Sequence, residues 1–295
     1  MNNSIYPCLT IKGRIQEAAD FYIKTFGEGS AGTALPYVMQ IQLSGQRFLL
    51  LNEGPVSTPN ATLSFTVMCK DDEEAGRYWS KLIEDGSVLM PLDTYEWSSK
   101  YGWLQDRFGV HWQLFTAVPD SGQGQDGSFQ QNEGRVAWQK FVPSFMFTGK
   151  MAGKALDALN YYTRLFPNSS KLMVVNYTEE DGDNSGYIKH GRFSIDGYVM
   201  TAMDSSMDHG VEFNDAISLV VECDTQDEVN HYWNNLVEGG GEEVACGWLN
   251  DRYGIAWQIV PKRLMELLKE PQRAERVMQR LMGMKKLVIS ELESA

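Results

Sequence analysis

The chain has no excess of positive charge. Its 295 residues include 26 Lys and Arg against 39 Asp and Glu, which gives a net charge of −13 at pH 7 and an isoelectric point near 4.8. A surface of this sign repels phosphate backbones and anionic membrane surfaces. We therefore expect neither a nucleic-acid partner nor a membrane partner.

Long apolar runs and paired cysteines are also missing. No stretch approaches the roughly 18 apolar residues of a membrane-spanning helix, and the opening MNNSIYPCLT has no basic-then-apolar signal pattern. The four cysteines are scattered without a CxxC pair. These absences lead us to expect a cytoplasmic protein with reduced thiols.

What the sequence does contain is an internal repeat. Three blocks occur twice in the same order, namely FYIKTFGEGS and YYTRLFPNSS, LSFTVMCK and ISLVVECD, and YGWLQDRFGVHWQLF and CGWLNDRYGIAWQIV. Between the copies, residues 118–137 are rich in Gly, Gln, Ser and Asp, a composition typical of a flexible connection. We predict a first domain at 1–117, a linker at 118–137, a second domain at 138–261 and a helical tail at 262–295.

Each copy alternates twice between strand and helix patterns. Apolar residues at three- and four-residue spacing predict helices at 14–26 and 71–85 in the first copy, and at 154–166 and 225–238 in the second. Short β-branched and aromatic runs predict strands, among them 5–11, 37–43, 48–51 and 63–69. The pattern predicts an α+β fold built from four βαβββ units.

The tail, residues 262–295, has a different character from the rest of the chain. It carries eight Lys and Arg against five Asp and Glu, and Pro271 stands where a second helix would begin. We expect this amphipathic segment to pack on the acidic body. The alternative interpretation is a partner surface formed by Met278, Met282 and Met284.

The paired units, the FY…F helix and the DRFGVHWQ strand resemble the vicinal oxygen chelate superfamily of glyoxalases, bleomycin-resistance proteins and extradiol dioxygenases. The stretches ISLVVECDTQDEVNHYWNNLVEGG and CGWLNDRYGIAWQIVP are similar to its PhnB-like branch, labelled 3-demethylubiquinone-9 3-methyltransferase-like. The resemblance is close over 138–295 and looser over 4–116. It implies two tandem glyoxalase-like domains that form an intramolecular pseudo-dimer, with units exchanged or not, and it leaves further homodimerisation open.

The same resemblance implies where a metal would sit. Metal-using relatives hold a divalent ion in a cup of the sheet, with His, Gln or Glu ligands from the first and last strands of each unit. In this sequence, three of the four positions of each copy carry no such ligand, and only Gln113 and Gln258 supply a donor; the other positions fall at Pro7, Leu50, Thr62, Pro143, Ala202 and Ala216. One neutral amide does not satisfy an oxygen-liking divalent cation, so we expect no metal, unless the register is off by one and exchanges the strand faces.

A methyl donor is not expected either. Such nucleotide-type donors are held where a glycine-rich turn opens a helix, whereas the single glycine cluster, Gly239–Gly241, follows a predicted helix. We interpret this cluster as a helix stop and predict no cofactor.

Strand alternation assigns side chains to the cups. A mostly apolar concavity with a few polar groups suits a small molecule, and the alternative is a cup filled by its own side chains. The predicted ligand-binding residues are Ser64, Thr66, His111, Gln113, Phe145, Phe147, Ser218, Glu222 and Gln258.

Three residues are candidates for catalysis. His111 would be a general base, Glu222 an acid or base if burial beside Phe145 and Phe147 raised its pKa, and Cys246 a nucleophile if a cation lowered its pKa. For His111 we favour an exposed or hydrogen-bonded histidine, and for Glu222 a strand-end carboxylate that reaches solvent.

These observations predict a metal-free small-molecule-binding protein of the glyoxalase-like superfamily, with no assignable reaction. One alternative is a metal-dependent lyase, isomerase or dioxygenase-type enzyme with its site in the sheet cup. The other is an interaction protein that uses the tail as its partner surface.

Overall fold

The protein is described here from a computed structural model. The structure describes residues 4–52, 57–117, 130–131, 134–135, 139–179 and 184–295. Most of the predicted linker lies outside these residues. Its described parts, Gln130–Gln131 (β9) and Gly134–Arg135 (β10), pair as two short antiparallel strands.

The first sequence copy contains two βαβββ units, as the pattern predicts. Unit one consists of β1 (Ile5–Thr10), α1 (Ile15–Phe26), β2 (Gly29–Leu35), β3 (Val38–Leu43) and β4 (Gln46–Leu51). Unit two consists of β5 (Leu63–Cys69), α2 (Asp72–Leu82), β6 (Ser87–Tyr95), β7 (Ser98–Gln105) and β8 (His111–Thr116).

The second copy repeats this order and is followed by the tail. Unit three consists of β11 (Phe141–Phe147), α3 (Ala155–Leu165), β12 (Ser170–Asn176), β13 (Ile188–Ile195) and β14 (Tyr198–Asp204), with a short 3₁₀ turn at Gly149–Met151. Unit four consists of β15 (Ile217–Cys223), α4 (Gln226–Val237), β16 (Glu242–Glu243), β17 (Trp248–Asn250) and β18 (Ala256–Pro261). The tail forms α5 (Lys262–Leu268), α6 (Pro271–Met282) and α7 (Ile289–Glu293).

Local sequence explains where the second helix of each copy begins. The Asp71 carboxylate accepts a hydrogen bond from the Glu74 backbone N–H at 2.7 Å, and Thr225 forms a capping box with Glu228. Both contacts satisfy N–H groups that a helix start leaves without a partner. None of the described helices is long and apolar enough to cross a membrane.

The eight-stranded sheets each combine one unit from each sequence copy. The first sheet has the order β16-β17-β18-β15-β1-β4-β3-β2, and the second has the order β12-β13-β14-β11-β5-β8-β7-β6. β1 pairs antiparallel with β15, with Cys8 opposite Ser218, and β5 pairs antiparallel with β11, with Ser64 opposite Ser144. The two copies therefore exchange units, one of the two arrangements that the sequence left open.

One face of each sheet packs against helices α1 to α4 and contributes to a shared apolar core. Phe26 of α1 meets Phe141 of β11 with ring centroids 4.7 Å apart, so the core joins the two copies. The opposite face of the first sheet is called the first cup, and that of the second sheet the second cup. Each cup has its own small apolar cluster.

The repeated DR(F/Y)G turn has a structural role in this core. The carboxylate of Asp106 accepts hydrogen bonds from the Tyr22 hydroxyl and the Trp112 indole N–H, both at 2.8 Å. It also accepts the backbone N–H groups of Phe108 and Val110. The carboxylate of Asp251 accepts the corresponding hydrogen bonds from Tyr162 and Trp257. In each copy, one buried carboxylate therefore binds a helix, a turn and a strand.

Candidate functional site

Gln113 and Gln258 occupy corresponding positions in the two cups. Gln113 donates to the Ser64 hydroxyl at 2.8 Å, and Gln258 donates to the Ser218 hydroxyl at 2.9 Å. The structure thus brings the predicted residues together as two equivalent Gln–Ser pairs, one on each sheet.

The orientation of Gln113 is held by a third residue. Its carbonyl Oε1 accepts a hydrogen bond from the Tyr101 hydroxyl at 2.9 Å. Burial raises the pKa of Tyr101 well above its ordinary value, so the phenol keeps its proton and remains a donor. The amide of Gln113 therefore presents its nitrogen to Ser64 and its oxygen to Tyr101. In the corresponding place before Gln258 the sequence has Cys246, which offers no such donor geometry.

Three hydroxyl groups form a continuous row across the second cup. The Thr66 and Ser144 hydroxyls are 2.7 Å apart, and the Thr201 hydroxyl donates to Ser144 Oγ at 2.7 Å. These residues come from the adjacent strands β5, β11 and β14, and we call them the hydroxyl row. Thr66 was predicted from alternation, but Ser144 and Thr201 were missed because the assumed register placed Pro143 and Ala202 in the cup.

A cavity of about 50 Å³ lies over this row, with Ser64, Gln113, His190, Met146 and Met203 also in its wall. A second cavity of about 100 Å³ lies beyond the end of β11, between Thr62, Phe213 and Tyr253, and Met146 lines both. Methionine is flexible enough to adapt to a ligand. The second cup therefore offers polar groups in one small space, with room beside it.

Phe145 and Phe147 do not face the cup as the alternation suggested. Phe145 borders the cavity, but its ring packs towards Phe213 with centroids 6.2 Å apart, and both phenylalanines belong to the helix-covered core. The expectation was wrong by one residue because every residue of β11 is buried. A strand with two buried faces gives no hydropathy signal for which face is which.

His111 is buried, not exposed, and does not line the cavity. Its side chain lies on the cup side of β8, the residue is 5% exposed, and within the described residues its Nδ1 atom has no hydrogen-bond partner. Burial lowers the pKa of His111 to about 4, so the imidazole is neutral at pH 7. The interpretation of an exposed histidine is therefore wrong.

Glu222 lies in the first cup and is bound by two neighbours. Its carboxylate receives both guanidinium NH groups of Arg47, at 2.9 and 2.8 Å, and the Tyr6 hydroxyl at 2.9 Å. The Arg47 guanidinium stacks 3.7 Å from the centre of the Tyr6 ring. Glu222 is therefore neither beside Phe145 nor directed to solvent, and its bidentate ion pair makes it part of the structure of the cup.

The first cup has no hydroxyl row. Sheet register places Cys8 and Leu49 side by side, where the second cup has the neighbours Ser144 and Thr201. Val220 stands opposite Gln258, where Thr66 stands opposite Gln113. Burial raises the pKa of Cys8 to about 12, so this thiol is neutral. The two cups share the Gln–Ser pair but differ at all three row positions.

The tail spans the mouth of the first cup. Its buried leucines form an apolar cluster, called the tail cluster, with Leu35 at the end of β2 and Cys246 after β16, which lie at opposite edges of the first sheet. Val260 belongs both to this cluster and to the cluster inside the first cup. The backbone N–H of Cys246 donates to the Met284 carbonyl at 2.7 Å. The tail therefore packs on the body, as expected, and covers the first cup.

Cys246 does not have the surroundings of a reactive thiol. Its Sγ contacts Met282 Sδ at 3.7 Å, and burial raises its pKa. A nucleophilic cysteine needs the opposite shift. Its positive φ of 59° fits the turn that receives the tail.

The residues of the cups do not fit a divalent metal ion. The four corresponding cup positions carry Ser144, Thr201, Ser64 and Gln113 in the second cup, all of them neutral side chains. In the parts of the chain that the structure describes, no three His, Cys, Asp or Glu side chains converge to hold an ion. The predicted positions Leu50 and Ala202 lie in the helix-covered core, so the register was off by one on these strands. The corrected positions on them carry the hydroxyls of Ser144 and Thr201 in the second cup and only Cys8 and Leu49 in the first. With a Gln–Ser pair in each cup, this remains a poor set for such an ion.

The glycine cluster ends a helix, as interpreted from the sequence. Gly239 and Gly240 follow α4 with φ of 80° and 119°, and the Gly241 N–H donates to the Val237 carbonyl at 2.9 Å. This is a helix-terminating turn, not a loop that opens a helix around a phosphate.

Comparison with known proteins identifies related sequences and folds. The family model of 3-demethylubiquinone-9 3-methyltransferase matches residues 3–115 and 139–260. Among proteins with curated descriptions, none matches.

Solved structures of two kinds are similar to this chain. Glyoxalase I from Zea mays is 13% identical, with a TM-score of 0.55 over 90% of this chain and 97% of its own. A PhnB protein from Bacillus cereus, provisionally named a 3-demethylubiquinone-9 3-methyltransferase, is 31% identical over 37% of this chain and 95% of its own, with a TM-score of 0.35. Protein PA1353 from Pseudomonas aeruginosa is 23% identical over 37% and 92%, with a TM-score of 0.34. The chain thus has the vicinal oxygen chelate fold in tandem, which confirms the resemblance seen in its sequence.

Proposed function

Since this chain belongs to the 3-demethylubiquinone-9 3-methyltransferase family and has the glyoxalase-like fold, we propose that it binds a small molecule in its second cup without a metal ion. The observation that carries the proposal is the hydroxyl row beside Gln113, which borders a cavity. Converging polar groups in a partly apolar concavity are what a small-molecule site requires. Methyl transfer is not part of the proposal, because the glycine cluster Gly239–Gly241 ends α4 and does not open a helix towards a bound phosphate.

The two cups are not equivalent in this proposal. In the first cup the Arg47–Glu222 pair and the tail occupy the space that a ligand would need. In the second cup, Thr66 and Thr201 are only partly buried, so their hydroxyls can exchange partners with a ligand. We therefore expect one molecule bound per chain.

Elemental analysis beside native mass spectrometry tests the proposal on the full chain, purified without added ligand and again after incubation with Zn²⁺ or Mn²⁺. The expected result is no stoichiometric metal and one small organic molecule per chain. Thr66→Val keeps the side-chain shape, removes the hydroxyl, and lowers the occupancy by breaking the row.

Ser218→Ala is the control, because it removes a buried cup hydroxyl from the Gln–Ser pair of the first cup and should leave the occupancy unchanged. A stoichiometric metal would instead support the metal-dependent enzyme. Two molecules per chain, or equal losses in both variants, would overturn the assignment to the second cup, and a chain that retains nothing would contradict the proposal.

A further inference from the structure

Two aromatic residues at the edge of the second cup are stacked, and one of them, Trp97, is open to solvent. Tyr95 and Trp97, in the hairpin between β6 and β7, have ring centroids 5.1 Å apart and planes inclined by 27°. Trp97 is 52% exposed, while the Tyr95 hydroxyl is held by the Pro91 carbonyl at 3.1 Å. We call these residues the rim pair. Because Tyr95 supports one side of the indole, the opposite side is available to a further flat group.

The rim pair is connected to the cavity through Tyr101 and Gln113. Both rings contact Tyr101 edge to face, with centroids 5.6 and 5.8 Å away. The Tyr101 hydroxyl holds Gln113, and Gln113 lines the cavity. The exposed indole is therefore linked to the polar groups of the second cup through Tyr101 and Gln113.

The first cup shows what the equivalent hairpins do in this chain. There the β2–β3 hairpin contributes Leu35, and the β16–β17 hairpin contributes Cys246, to the apolar cluster that holds the tail. In the second cup the equivalent β6–β7 hairpin carries the rim pair, and Trp97 remains half exposed. The same structural position thus binds an apolar segment of the chain in one cup and presents an aromatic surface in the other.

We propose that the second cup takes a molecule with an aromatic ring, which stacks on Trp97, and a neutral hydrogen-bonding group, such as an amide, which reaches Gln113 and the hydroxyl row. This inference rests on the proposed function and adds the chemical class of the ligand. The ring is needed because the indole offers a flat face, and the neutral polar group is needed because Gln113 and the row present both donors and acceptors.

Ligand-observed NMR titrations with three probes test this inference on the full chain. Benzamide has the ring and the amide, cyclohexanecarboxamide has the amide on a ring without a π face, and acetamide has the amide alone. We expect benzamide to bind the natural sequence best. Trp97→Leu keeps an apolar side chain but removes the flat face, so it should weaken benzamide about 3- to 10-fold and abolish its advantage over cyclohexanecarboxamide.

Tyr37→Leu is the matched control, because Tyr37 is an aromatic residue of similar exposure, 48%, on the equivalent β2–β3 hairpin. It should leave benzamide binding unchanged. Thr66→Val should weaken benzamide and cyclohexanecarboxamide by the same factor, because both use the amide.

The outcomes separate the inference from the proposed function. If both cyclic amides bind equally, or if Trp97→Leu has no effect while Thr66→Val weakens both, the aromatic requirement is wrong and the second cup remains the site. If Thr66→Val leaves every probe unaffected, binding lies elsewhere and both fail. Absence of binding by all three probes overturns the inference, whatever molecule the purified chain retains.

Discussion

Shortening one buried leucine of the tail tests whether the tail is an integral part of the first sheet. Leu267 in α5 is fully buried within the tail cluster, which also includes Leu35 and Val260 of the sheet. Leu267→Ala removes apolar contacts from an interior that relaxes only partly, so we expect a loss of about 2–5 kcal/mol of unfolding free energy. With a urea slope of about 3 kcal/mol/M, the midpoint falls by about 0.7–1.7 M.

The assay is urea denaturation followed by tryptophan fluorescence and far-UV circular dichroism. Met282→Ala is the control in the same tail, because Met282 is 66% exposed and its truncation should change the free energy by no more than about 0.5 kcal/mol. The expected result is one shifted transition seen by both methods. Equal effects of the two substitutions, or an early unfolding of the tail with the main transition unmoved, would show that the tail is not an integral part of the first sheet and favour a tail that serves as a partner surface.

Two further predictions concern buried polar groups. Burial lowers the pKa of His111 to about 4, below the value of about 6.5 in an unfolded chain, so the stabilisation from the neutral imidazole is complete above pH 6.5 and is lost as the pH falls towards 4. In an NMR titration, His111 should protonate only near pH 4, and a midpoint near 6.5 would contradict its burial. Asp106→Asn and Asp251→Asn should each lower the free energy of unfolding by about 1–3 kcal/mol, because an amide nitrogen would face the donor groups of Tyr and Trp. Thermal unfolding measures both losses. A loss confined to one copy would show that the two turns are not equivalent.

The sequence predicted the local elements well because their signals are local. The helix predicted at 71–85 is α2, Asp72–Leu82, and the strand predicted at 63–69 is β5, Leu63–Cys69. Capping residues, apolar spacing and turn glycines all lie within a few residues of the element they define. Because each of these patterns occurs twice in the sequence, the four units could be recognised without a structure.

The pairing of the units could not be derived in the same way. β5 pairs with β11, and β1 pairs with β15, yet the repeated sequence makes β1 and β11 similar partners for either strand. The choice depends on contacts between distant residues, such as the packing of Phe26 on Phe141, which no local pattern reports. Pairing also decided the site, since Ser144 joined Thr66 only because β11 lies beside β5.

The two cups differ because the two sequence copies are identical at the Asp, Trp and Gly positions of the repeated turn and different at the row positions of the cups. The Asp, Trp and Gly positions of the repeated turn are the same in both copies because they complete each core. The cup positions carry no such requirement, so Ser144 corresponds to Cys8 and Thr201 to Leu49. The first cup therefore offers an apolar surface to the tail, while the second cup carries the hydroxyl row. Leu49→Thr should therefore introduce a hydroxyl at a row position of the first cup without affecting the shared core. The first cup should still exclude ligand, because the tail covers it, so native mass spectrometry should still find one molecule per chain. Binding of a second molecule by this variant would show that the tail is not what closes the cup.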